Sequence, residues 1–228
     1  MNDLRMASGR LLPIWNNIPE VLEYLNRPSS LVPTLIDQIN VERMYAFAFE
    51  GKRGQVFLDL GANIGLVSLY AADSCSRIVA VEPDPNTYRI LKSMVAGFNN
   101  ITTLNVALAP YPGPCKFFQN DINTTASSTV NTYGTPTTVQ GRTLMQILSD
   151  AQLFHVDFAK VDVEGAEGDG LSFDQLLAAK PIIKSYYIET HNCPATTWEQ
   201  KLGRIVSDLS QLGYGQIKIS GMSVFVSL

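Results

Sequence analysis

Apolar and polar positions along the chain fall into blocks that switch between two periods. Short apolar runs at 56–60, 78–81, 101–105, 156–162 and 182–189 have the length and composition of buried strands. Between them, residues 66–72, 86–98, 143–148, 171–179 and 198–212 have helical composition; Pro83-Asp84-Pro85 suits the start of the second helix, and Gly213 stops the last. Residues 216–220 and 223–226, joined through Gly221 and Met222, read as a closing antiparallel hairpin. The alternation predicts an α/β, doubly wound sheet of seven strands whose last two form an antiparallel hairpin.

Two stretches depart from that rhythm. Before residue 51, Ile18, Val21, Leu22 and Leu25, then Leu31, Leu35, Ile36, Ile39 and Met44, recur at helical spacing around a Pro28-Ser29-Ser30 break. This predicts a helical segment over 1–50 packed on a core domain over 51–228. Tyr45, Phe47 and Phe49 read as part of the core, with a lid over a ligand as the alternative. Residues 110–139 are rich in Pro, Gly, Thr, Ser and Asn and are too long for an ordinary loop. Residues 116–119 and 137–140 can pair, making the stretch a hairpin or loop insertion. Its tip at 124–128 then either faces a substrate or is a solvated linker.

The first strand leads into Asp59-Leu60-Gly61-Ala62-Asn63-Ile64-Gly65. Two glycines between a strand and a helix let the backbone turn sharply and approach a ligand, while the helix start offers unpaired N–H groups. A dinucleotide site needs a third glycine, and in the register from Gly61 the required positions fall on Asn63 and Leu66. Asp59, at the tip of the strand, would repel a pyrophosphate and suit an ammonium group. S-adenosylmethionine carries an ammonium and a sulfonium and no phosphate. Glu82 ends the second strand about twenty positions after Gly61, where an acid binds ribose hydroxyls.

Three motifs in order, Asp59-x-Gly61-Ala62-Asn63-x-Gly65-x-x-Ser68, Val81-Glu82-Pro83-x-Pro85 and Lys160-x-Asp162-x-Glu164-Gly165-Ala166-Glu167, resemble those of the FkbM family of S-adenosylmethionine-dependent methyltransferases. The resemblance spans residues 56–189. It implies a class I methyltransferase (Rossmann-like) fold, S-adenosylmethionine as cofactor, and O-methylation of a hydroxyl on a sugar or other small metabolite. By the same resemblance the cofactor residues are Asp59, Gly61, Asn63, Gly65, Ser68 and Glu82, with Asn105 and Ala107 near adenine. Residues 168–170, Gly-Asp-Gly, depart from the apolar helix residues that family members more often carry there.

An alcohol is a poor nucleophile, so its methylation needs a group that removes the proton. The ends of the fourth and fifth strands offer Asp162, Glu164, Glu189, His191 and Asn192. Direct base catalysis favours His191, whose unperturbed pKa lies closest to neutrality. The alternative is a divalent cation on Asp162, Glu164 and Glu189, completed by His191 or Asn192. The sequence favours Asp162, Glu164, Glu189 and His191 as catalytic groups and assigns no metal ligand. Glu167 and Asp169 read as acids stabilising a helix start, and His155 as structural. A silent cofactor-binding module and a nucleotide-dependent oxidoreductase are the rival functions.

Composition adds bounds. The 228 residues, 46% hydrophobic, suffice for one core. A net charge of −4 and a pI near 5.2 argue against a nucleic-acid or anionic-membrane surface, and the resemblance implies a small-molecule or saccharide acceptor as partner. Cys75, Cys115 and Cys193 show no paired spacing and read as free thiols, and no apolar run has membrane-spanning length. A cytoplasmic protein is the expectation.

Overall fold

The computed structural model describes residues 3–12, 32–40, 42–119, 127–130 and 134–228. A small antiparallel pair, β1 (Leu4–Arg5) and β2 (Leu11–Leu12), precedes helices α1 (Val32–Asn40) and α2 (Ala46–Phe49). Strands and helices then alternate: β3 (Gln55–Leu60), α3 (Leu66–Ala71), β4 (Cys75–Val81), α4 (Pro85–Val95) and β5 (Ile101–Leu104). An insertion follows as β6 (Ala107–Leu108), β7 (Gly113–Gln119) and β8 (Thr135–Arg142). The chain continues through α5 (Leu144–Asp150), β9 (Phe158–Val161), α6 (Glu167–Gly170), α7 (Phe173–Ala179), β10 (Ser185–Glu189), α8 (Trp198–Gln211), β11 (Gln216–Ser220) and β12 (Ser223–Ser227).

The main sheet has seven strands in the order β5-β4-β3-β9-β10-β12-β11. Only β12 runs against its neighbours, so the sheet is the expected doubly wound one with its closing antiparallel hairpin. The chain winds outward from β3 to β5 and then returns to the other side of β3. This reversal between β3 and β9 opens a crevice at the strands' carboxyl ends, where ligands of such sheets bind. Alternation along each strand splits the core into two layers. Phe57 and Ile78 face α3 and α4, whereas Leu58, Leu60, Val79 and Val81 face α5, α7 and α8.

Several boundaries differ from the sequence pattern. The fifth strand loses its first three residues because Ile182 and Ile183 donate their N–H groups to the carbonyl of Ala179, closing the preceding helix. The helix expected over 171–179 begins two residues later: Ser172 caps α7 by accepting from the N–H of Gln175, and a separate four-residue turn, α6, precedes it. Residues 116–119 and 137–140 do pair antiparallel, Lys116 opposite Thr138, within a three-stranded sheet completed by β6. Of the predicted tip, only residues 127 and 128 are described.

The predicted helix around Ile18 to Leu25 lies outside the described residues. Those before residue 51 that are described include the β1–β2 pair, which the helical pattern did not announce. Leu4, Met6, Ile36, Ile39, Tyr45, Ala48 and Phe49 pack into the same layer as Phe57 and Phe158. Phe49 is buried, with its ring edge-on to Phe57 at 4.9 Å, whereas Phe47 is half exposed against Phe225 at 4.7 Å. No helix among the described residues is long and apolar enough to cross a membrane.

Candidate functional site

The first turn shows why Gly61 and Gly65 are glycines. Both have positive φ, 78° and 90°, which side chains disfavour. A Cβ on Gly61 would stand 1.7 Å from the backbone oxygen of Asp162, so only glycine lets β3 and β9 end side by side. A Cβ on Gly65 would meet Leu91 at 2.6 Å, where α4 packs behind the turn. Gly61 and Ala62 both donate to the carbonyl of Val81, fixing the turn against the end of β4.

In-register pairing of β3 with β9 sets Asp59 opposite Lys160. Neighbours in register project to one face, and both are almost completely buried. Lys160 Nζ donates to the carbonyl of Gly61 at 3.0 Å and lies 3.5 Å from Asp59 and 3.2 Å from Asp162. Burial would lower the Lys160 pKa, but the carboxylates of Asp162 and Asp59 raise it, so the ammonium stays charged. The other oxygen of Asp59 accepts from Ser68 Oγ at 2.7 Å. Asp59 therefore lies beneath the turn as the partner of Lys160 and Ser68, and does not reach the cavity. The direct contact with a cofactor ammonium expected from the sequence is not available to it in this arrangement.

Above the turn lies a cavity of about 280 Å³ at the carboxyl ends of β3, β4, β9 and β10. Gly61, Asn63, Glu82 and Ala107 line it, together with Asp162, Glu164, Glu189 and His191. Gly65, Ser68 and Asn105 do not: they shape its support. Asn105 donates from Nδ2 to the carbonyls of Glu82 and Pro83, clasping the end of β4 rather than facing a base. Glu82 accepts N–H groups from Asn63 and Asp84, each at 2.9 Å, which aims its carboxylate at the cavity. Burial pushes its pKa up to about 8 despite those two donors. Tyr45 from the N-terminal region and Phe117, Ser127 and Thr129 from the insertion close the opposite wall.

Four acid–base side chains converge at one end. His191 Nε2 is 3.8 Å from Asp162, 3.7 Å from Glu164 and 3.7 Å from Glu189. Its Nδ1 is 3.0 Å from Glu167 Oε1. Burial alone would lower the His191 pKa, but the bond to Glu167 and the charges of Glu164 and Asp162 raise it to about 9. The reason for singling out His191 from sequence, a pKa near neutrality, is thus altered by its surroundings. Glu164 is pushed up to about 8, chiefly by burial, and Glu189 is raised for the same reason. Glu164 also holds a left-handed backbone, φ 53°, before Gly165 at φ 108°. Asn192 is otherwise engaged, its side-chain oxygen accepting from the N–H of Trp198 at the start of α8.

Three residues of the site were overlooked or misread in the sequence. Glu167 is not simply an acid at a helix start. It is wholly buried and accepts from the N–H groups of Val163 and Gly165 as well as facing His191. Lys201, buried on α8, donates to the carbonyls of Gly165 at 2.5 Å and His191 at 2.7 Å, tying together the loops that follow β9 and β10. The signal was there: position 201 falls on the apolar face of α8, beside Leu202 and Ile205. Lys160 likewise stands out as a charge inside a strand otherwise buried on both faces, where it needs a partner. His155 pairs with Asp157 at 2.8 Å on the surface, away from the cavity.

The methyltransferase FkbM domain model matches residues 59–215. The chain belongs to the FkbM methyltransferase family. It is therefore an S-adenosylmethionine-dependent methyltransferase, and its doubly wound sheet is of class I. No curated protein matches it. Among solved structures, the METTL16 methyltransferase domain superposes with a TM-score of 0.51 at 12% identity, over 86% of this chain and 68% of that one. A fibrillarin/Nop5p complex gives 0.50 at 15% identity, over 81% and 77%. Aeropyrum pernix fibrillarin, with natively bound S-adenosyl-L-methionine, gives 0.47 at 15% identity, over 90% and 76%. At these identities the first two likenesses speak for the fold alone.

The residues present suit this cofactor. Glu82 offers a carboxylate to a ribose diol, the turn after β3 leaves room for an approaching ligand, and the one cation at the turn among the described residues, Lys160, is held by the Gly61 carbonyl and by Asp59 and Asp162. When bound, the cofactor supplies an electrophilic methyl group on sulfur.

Proposed function

We propose that this methyltransferase acts on a hydroxyl oxygen of a sugar or other small metabolite. What carries the reading is the convergence of Asp162, Glu164, Glu189 and His191 in a cavity that Glu82 also lines. Carboxylates accept hydrogen bonds from hydroxyl donors, so a polyol matches this wall. A phosphate-rich nucleic acid is repelled by it and by the net charge of −4.

Bound S-adenosylmethionine would supply its methyl group to the acceptor oxygen, the carbon–sulfur bonding pair leaving with sulfur as S-adenosylhomocysteine. The hydroxyl proton passes to the cluster, whose members share protons as a coupled set. Glu167 holds His191 from behind, and Lys201 holds the loops carrying Gly165 and His191. Tyr45 and the insertion residues Ser127 and Thr129 line the same cavity. The test is transfer of a labelled methyl from S-adenosylmethionine to a panel of sugars, phenols, amines and thiols, with the product's bonding read by NMR. An O-methyl product from a polyol supports the reading, and exclusive methylation of nitrogen, sulfur or carbon overturns it.

If Glu82 holds the ribose, cofactor affinity depends on pH with a definite sign. The ionised carboxylate accepts from the diol, so affinity for S-adenosylhomocysteine should rise by about tenfold per unit at most as pH climbs toward about 8, then level off. In the unliganded protein the same raised pKa works in the opposite sense. The folded form keeps a proton that the unfolded chain has lost, so this group's contribution to stability falls as pH rises from the ordinary carboxylate range through about 8. Calorimetric titration across pH 6–9 checks the first effect, and Glu82→Gln should flatten it. An unaltered pH profile in that variant would remove Glu82 from the ribose role.

A further inference from the structure

We propose that Asp162, Glu164, Glu189 and His191 together bind one divalent first-row cation, of the Mn²⁺ kind, at the acceptor end of the cavity. The separations are the first argument. His191 Nε2 stands 3.8, 3.7 and 3.7 Å from the nearest oxygens of Asp162, Glu164 and Glu189. All three exceed the reach of a good hydrogen bond, about 3.2 Å. Donors each about 2.1 Å from a shared ion stand roughly 3.0 to 4.2 Å apart, depending on the angle between them. The imidazole and the carboxylates thus converge at ion-pair distances that also match donors around one ion. Ligand atoms of Asp162, Glu164 and His191 all lie within 4.8 Å of one another.

The orientation of the imidazole is the second. Glu167, wholly buried and outside this donor set, accepts at 3.0 Å from Nδ1 of His191. Its own position is fixed by the N–H groups of Val163 and Gly165. That bond holds the ring so that Nε2 faces three carboxylates, and a cation taking its place among them would displace the Nε2 proton. Three carboxylates facing one point favour a positive centre there, which either the imidazolium or a bound cation supplies. A carboxylate behind a histidine whose other nitrogen faces open space is the usual support of a metal-ligating imidazole.

The donor set narrows the ion. One imidazole nitrogen among carboxylate oxygens suits Mn²⁺ or a similarly oxygen-preferring ion, and the absence of thiolate from these four residues disfavours a soft one. Lys160 takes the far oxygen of Asp162 at 3.2 Å, leaving the near one for the ion. Asn192 is committed to the N–H of Trp198 and is not part of the set. The inference deepens the reading of the site as a hydroxyl methyltransferase and rests on it only for what the ion would do: bind the acceptor oxygen and make its proton easier to remove. The binding itself stands on the geometry alone.

The experiment is an electron paramagnetic resonance titration of the chelator-stripped full chain with Mn²⁺, following the signal of the free ion. The expected result is uptake of one ion per chain. Glu164→Gln and Glu189→Gln should each weaken uptake at least about tenfold, and Glu167→Gln, which touches no ion, by about 10–100-fold. Binding of S-adenosylhomocysteine by each variant reports that it is folded. No uptake by the wild-type protein up to about 1 mM Mn²⁺ overturns the proposal, because even weak protein sites fill in that range. Uptake unchanged in all three variants overturns it as well, by placing the ion elsewhere. Methyl transfer to a polyol by stripped protein that takes up no Mn²⁺ sinks the cation and leaves the methylation reading intact. Uptake with methylation confined to nitrogen or sulfur does the reverse.

Discussion

Replacing Lys160 with Met is expected to destabilise the protein by about 3–5 kcal/mol, the usual cost of leaving one member of a buried ion pair without its partner. At this chain length that is roughly 6–20 °C in melting temperature. Lys160 is the only cation within bonding distance of Asp59 among the described residues, and Asp59 is fully buried beneath the glycine turn. Without the ammonium, Asp59 would keep a charge or take up a proton at the expense of its bond with Ser68. The turn at Gly61, whose carbonyl accepts from Lys160, would lose its tie to β9. The double variant Asp59→Asn/Lys160→Met removes both charges and should recover part of the loss, so the two effects should not add. A melting temperature for Lys160→Met within about 2 °C of wild type would show that the pair contributes little.

The second large effect concerns turnover. His191→Ala should lower the rate of methyl transfer by at least about 100-fold, the lower range for loss of a positioned proton-transfer group. Affinity for S-adenosylhomocysteine should change little, because the ribose is assigned to Glu82 at the end of β4 and His191 follows β10. The prediction holds whether the imidazole moves a proton itself or holds a cation, since in either case its Nε2 stands within 3.8 Å of Asp162, Glu164 and Glu189. Single-turnover kinetics with saturating cofactor separate the chemical step from binding. Undiminished single-turnover rates would exclude His191 from the chemistry.

The fold was legible because its information is local. The strand tips, the glycine turn and the closing hairpin are each written in a few consecutive residues, and the order of strands and helices dictates the winding. The insertion was legible as a pair of strands from its alternating residues, while its third strand, two residues long, carries no pattern of its own. The β1–β2 pair is equally short and went unforeseen for that reason.

The site was legible as far as its residues are adjacent in sequence or sit at strand ends. Asp162, Glu164, Glu189 and His191 were brought to one crevice by topology alone. What the sequence could not supply is which acid faces the cavity and which lies behind it. Asp59 was read as facing a ligand because it ends a strand, yet the register of β3 against β9 turns it toward Lys160. Glu167 was read as a helix-terminal charge because its partner His191 is remote in sequence. Asn105 was placed near adenine by resemblance, whereas its amide serves the carbonyls of Glu82 and Pro83. Each case turns on a tertiary partner that no local pattern announces.

The central claim is that one cavity holds the cofactor's ribose at Glu82 and presents its methyl-bearing sulfur to the cluster around His191. A crystal structure of the complex with S-adenosylhomocysteine tests it most directly. The account predicts ribose hydroxyls on the Glu82 carboxylate and the sulfur facing Asp162 and His191 across a gap that admits an acceptor oxygen about 3–3.5 Å from the missing methyl. Sulfur turned toward the opposite wall, or a ribose bound away from Glu82, would contradict it.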